Sequence, residues 1–95
     1  MARLETRLFR LADRLADLQR QEELVAAELE AHRHIDDDAQ RDAAVSGHYI
    51  DREEAGLTAA DVARFERSLA ELRRLRAKLE EKRARLLAKL AEGAP

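Results

Sequence analysis

Leu4, Leu8, Leu11, Leu15 and Leu18 recur at spacings of four, three, four and three, and Glu22, Val25, Leu29, His32, Asp36, Ala39 and Ala43 continue the track. Such a repeat is the a/d seam of a helix that packs along one stripe. The seam weakens where Leu gives way to His, Asp and Ala. Asp36-Asp37-Asp38 is a point where a helix can break, because Asp side chains compete for backbone donors. The track nonetheless predicts one helix over about 2–45. Ser46-Gly47 is a stop signal. The following HYIDREEAGL lacks clear periodicity, contains Gly56, and reads as a loop over about 46–58. Thr58 fits an N-cap with Asp61 three residues on. A second helix is then predicted over about 59–92, ended by Gly93 and Pro95. Its seam is Val62, Phe65, Leu69, Leu72, Leu79, Leu86 and Leu90, interrupted by Arg76 and Arg83.

Two seams joined by a connection predict an all-α fold: a single-domain, long antiparallel two-helix hairpin of coiled-coil type. Folding the chain about residue 52 makes facing numbers sum to about 104. Leu15 then meets Leu90, Leu18 meets Leu86, Val25 meets Leu79, Leu29 meets Leu75, Ala39 meets Phe65 and Ala43 meets Val62. Glu22 falls opposite Lys82 and Arg83. In this register the first helix overshoots the second and leaves Leu4, Leu8 and Leu11, with Phe9 nearby, without a partner. An exposed apolar row of this kind marks an interface, so these four residues are the expected self-association face. Ala63, Ala70, Ala77, Ala84 and Ala91 repeat every seven residues beside the second seam and suit close helix approach.

Composition reinforces the helical reading and limits the core. Ala, Glu, Lys, Leu and Arg make up 64 of 95 residues, and 19 of the 43 hydrophobic residues are Ala. One seam between two helices is a thin core for a chain this long. A homodimer forming a four-helix bundle is therefore expected, with docking on another protein as the rival.

Charge is uneven along the chain. Residues 1–20 carry five Arg and three acids, residues 21–61 twelve acids and three Arg, and residues 62–95 ten bases and five acids. No cysteine is present, which excludes a disulfide framework and a thiolate metal site. The pairs His32/Asp36 and His34/Asp38 sit four apart on a helix face, but a metal needs further ligands and only His48 remains. No metal and no cofactor is expected. Catalysis needs a positioned nucleophile or base in an enclosed pocket. The two Ser and two Thr, with His48, Asp51, Glu53 and Glu54 in the loop, make no such pocket in a hairpin, so no enzyme is expected. No apolar run reaches the about 18 residues of a membrane span. The N-terminus lacks the apolar stretch of a secretory signal, which predicts a cytoplasmic protein. Fifteen Arg against three Lys fit a GC-rich, bacterial coding genome. In the second helix Glu66, Glu71, Glu80 and Glu81 interleave with the bases. The continuous basic stripe of a nucleic-acid binder is thus missing.

The connection holds the most distinctive residues. Tyr49, Ile50 and Leu57 are apolar where a loop is ordinarily polar, and Asp51, Glu53 and Glu54 surround them. Two roles are open to the apolar three: folding back onto Val45, Val62 and Phe65 to close the hairpin, or docking on a partner. Tyr49, Ile50, Asp51, Glu53 and Glu54 are the expected partner-binding tip. In outline, a hairpin with acids such as Asp51 and Glu53 at its tip resembles the Gre- and DksA-type transcription factors, whose tips address RNA polymerase. The scarcity of aromatics resembles the small helical hairpins of flagellar and type III export. Function is expected to be non-catalytic protein–protein interaction, as scaffold, adaptor or small regulator. The alternative is a transcription- or nucleic-acid-associated regulator, using the acidic tip on RNA polymerase or the basic second helix on nucleic acid.

Overall fold

The periodic seams become two helices in the structure, a computed structural model that describes residues 2–93. Helix α1 spans Ala2–Ser46 and α2 spans Tyr49–Glu92, 45 and 44 residues long. The fold is an all-α helical hairpin, with no strand among the described residues. The chain forms two compact units: one from the start of α1 to Glu22 with α2 from Glu71 onward, the other Glu23–Ala70.

The expected loop over 46–58 shrinks to Gly47 and His48, and the second helix begins at Tyr49 instead of 59. Gly47 takes φ +62°, a left-handed conformation that glycine adopts without steric cost. Its N–H donates to Ala43 O at 3.0 Å, closing α1. Arg52 N–H donates to His48 O at 3.0 Å and opens α2. The Ser46 hydroxyl joins the two ends: it accepts the His48 N–H at 3.1 Å and donates to the Asp51 carboxylate. Asp51 lies in the first turn of α2, where a negative charge meets the positive end of the helix dipole.

Thr58 is therefore not an N-cap. It sits inside α2, 7% exposed, with its hydroxyl 2.8 Å from Asp36 Oδ1 and 3.1 Å from Ala55 O. The seam of α2 runs back through Thr58, Ala55 and Asp51 at spacings of three and four. Ala39 and Ala55 are both buried. Small residues here let two helices joined by only two residues come close.

Within the unit Glu23–Ala70, Leu29, Val62 and Leu69 form the buried cluster, and Val25, Ala26 and Phe65 pack on it. Gln40 reaches Ala55, Asp36 reaches Thr58, and His32 stacks on Phe65 with ring centroids 4.5 Å apart. These pair numbers sum to 94–97, so the register expected from a fold-back at residue 52 is displaced by the tight turn. His32, not Ala39, faces Phe65.

In the unit holding both chain ends, Leu11, Leu15, Leu18 and Leu86 are buried. Glu22 meets Arg76 at 2.6 Å and Arg73 at 3.8 Å, in place of the expected Lys82 and Arg83. Arg76 also reaches Glu80 at 2.9 Å. The carboxylates, Glu22 first and then Glu80, raise the Arg76 guanidinium above its already high pKa. The near-equal helix lengths leave no overshooting end of α1. Leu4 and Leu8 are half-buried and Leu11 is buried, while Phe9 is 71% exposed. The premise for the Leu4, Leu8, Phe9 and Leu11 face, an unpartnered overhang, does not hold.

Asp36-Asp37-Asp38 leaves α1 unbroken. Asp36 accepts from Gln40 Nε2 at 3.0 Å and from Thr58, and Asp38 accepts from Arg41 at 2.6 Å. Side-chain partners engage these carboxylates, so they do not compete for the helix backbone. Hydrogen bonds from Gln40, then Thr58, hold the Asp36 carboxyl below the usual aspartate value.

Candidate functional site at the hairpin tip

The turn is held from three directions: the Gly47 cap, the His48 N–H on Ser46, and the Ser46–Asp51 bond. One and a half helical turns inward, Gln40 Nε2 bridges Asp36 and the Ala55 carbonyl, at 3.0 and 2.9 Å. Asp36, Thr58, Gln40 and Ala55 thus form a polar clasp between the helices. Every buried side-chain polar atom among the described residues has a hydrogen-bond partner.

On this braced frame the apolar residues point outward. Val45 is 89% exposed, and Tyr49, Ile50 and Leu57 are each at least 60% exposed. They do not fold back onto Val62 and Phe65, which removes the closing role. Ile50 and Leu57 are seven apart on α2, two turns along one face, with Glu53 and Glu54 between them. Residues 36–55 carry seven carboxylates and two arginines. Of the expected tip residues, Tyr49, Ile50, Glu53 and Glu54 are exposed, while Asp51 is half-buried and committed to Ser46. The sequence reading did not assign Val45 to the tip. Its signal was available: as the last apolar residue before the stop, it lies off the Ala39–Ala43 seam.

His32 stacks on Phe65 and His34 pairs with Glu30 at 3.3 Å. No group of three or more candidate ligands occurs among the described residues. No described helix is long and apolar enough to cross a membrane. Several arginines of α2 are answered locally, Arg64 by Asp61 at 2.7 Å and Arg74 by Glu71. No protein-family model, curated protein or solved structure matches the chain.

Proposed function

We propose that this chain is a non-catalytic protein–protein interaction module whose hairpin tip is the recognition element. One observation carries the reading: three exposed apolar side chains, Val45, Tyr49 and Ile50, flank a hydrogen-bonded turn within a segment dominated by carboxylates, and Leu57 is exposed two helical turns beyond Ile50. Hydrophobic side chains exposed together on a monomer indicate a docking surface. A braced turn loses little entropy on binding, so less of the contact energy is spent on ordering. The partner surface is complementary: an apolar floor to receive Tyr49 and Ile50, and basic groups around it. The carboxylates steer the encounter and make it salt-dependent. A cytoplasmic scaffold or small regulator, acting as a homodimer or on another protein, fits this behaviour.

The experiment is capture from native lysate with the immobilised chain and with a Tyr49→Ser/Ile50→Ser variant. Both positions are exposed, so helicity by circular dichroism stays at the wild-type level. Loss of the captured species in the variant supports the tip; identical capture by both rejects it.

A further inference from the structure

The unit containing both chain ends holds an open groove lined by Arg7, Arg10, Leu11, Lys82 and Leu86, with a cavity of about 240 Å³. Leu11 and Leu86 are buried, at 7% and 3% exposure, and supply an apolar floor. Arg7, Arg10 and Lys82 supply a cationic rim. No acid lines the groove, and none of the three cations is ion-paired with a described residue. A second cavity, lined by Arg3, Thr6, Arg7 and Arg10, extends the basic strip along α1. Arg3, Arg7 and Arg10 follow at spacings of four and three, one face of a helix.

This groove is the chemical counterpart of the tip described above: apolar floor for apolar side chains, cationic rim for carboxylates. The charge of each unit agrees. The unit with the groove carries thirteen bases against eight acids, and the unit Glu23–Ala70 twelve acids against five bases. We infer that the groove of one copy receives the Tyr49/Ile50 tip of a second copy of this chain. The inference rests on the tip being a recognition element, and names its partner. Tyr49 is the natural anchor, because an aromatic side chain in a desolvated pocket, ringed by polar contacts, concentrates binding energy. Each copy owns one tip and one groove, and the inferred two-fold pair uses both of each.

Sedimentation of the purified full-length chain tests this. At about 0.01 M salt the screening length is about 30 Å, and at about 1 M it is about 3 Å. Wild type sediments as a pair at the low end, and its dissociation constant rises toward the high end as the charge contribution is screened, shifting the population toward the 10.8 kDa monomer. Arg7→Glu/Arg10→Glu reverses the groove, and Glu53→Lys/Glu54→Lys reverses the tip. Each variant alone faces like charge in both contacts, and its dissociation constant rises at least about tenfold. A one-to-one mixture regains the wild-type affinity, since each tip then finds a groove of opposite sign. All four positions are exposed, and unchanged helicity shows that the variants fold. A monomer at every salt concentration overturns the inference. So does pairing that ignores both variants, or a monomer whose groove instead binds a short DNA duplex. None of these outcomes touches the tip reading, which fails only if lysate capture survives Tyr49→Ser/Ile50→Ser.

Discussion

Gly47→Ala and Gly56→Ala are the same chemical change nine residues apart, and the structure gives them opposite signs. A Cβ added at either position meets nothing within 4 Å, so packing decides neither result and the backbone decides both. Gly47 holds φ +62°, where an L-side chain costs about 1–2 kcal/mol. Gly56 lies within α2, where Ala gains about 0.8–1 kcal/mol over Gly. The two variants should therefore differ by about 2–3 kcal/mol, with wild type between them. For a chain of this size 1 kcal/mol moves Tm by about 4–8 °C, so the melting curves separate by about 10 °C or more. Far-UV circular dichroism during thermal and urea unfolding reads the difference, at high salt and fixed protein concentration to suppress association. Gly56→Ala lowering Tm, or Gly47→Ala leaving it unchanged, would refute the two-residue turn and restore a loop that contains both glycines.

The same unfolding assays check three more expectations. Leu18, 1% exposed, and Leu24, 67% exposed, lie on different faces of α1. Leu18→Ala should cost about 2–5 kcal/mol, while Leu24→Ala stays within about 0.5 kcal/mol; equal costs contradict the seam. Asp36 has a lowered native pKa, so its contribution is present above the ordinary value of 3.8 and is lost as pH falls through the native value. Thr58→Val should accordingly be less stable than wild type at neutral pH, with the gap closing in acid; a gap constant down to full protonation removes the clasp. Arg76→Leu should destabilise by leaving Glu22, whose side chain is only 12% exposed, with Arg73 at 3.8 Å as its remaining partner, and adding Glu22→Leu should recover the loss. A double variant no better than the single one shows that the two residues are not coupled.

Helix content and pairing were legible because the Leu spacings are strong and the chain offers no competing pattern. The extent of the turn was not. Gly56 suggested a loop, yet an exposed glycine costs a helix only about 1 kcal/mol, which a 44-residue helix absorbs. Thr58 with Asp61 imitated a capping box, while its actual partner, Asp36, lies 22 residues away in sequence. Displacing the fold-back point from residue 52 to Gly47–His48 then shifted the facing pairs. Glu22 found the right kind of partner at the wrong position, because α2 offers Arg76 as well as Lys82 and Arg83. The tip residues were visible as apolar residues out of place. Their exposure was not, since it depends on a turn too short for them to fold back.

Register is the claim on which the clasp, the ion pair and the exposed tip all depend, and a disulfide trap measures it directly in a chain with no native cysteine. His32→Cys/Phe65→Cys joins positions whose rings now stack. Ala39→Cys/Phe65→Cys samples the alternative register, two helical turns or about 10 Å away and beyond the about 7 Å Cα reach of a disulfide. Mild oxidation of dilute protein should close an intramolecular bond in the first variant and leave the second as free thiols. Closure of the second in preference to the first would contradict the account.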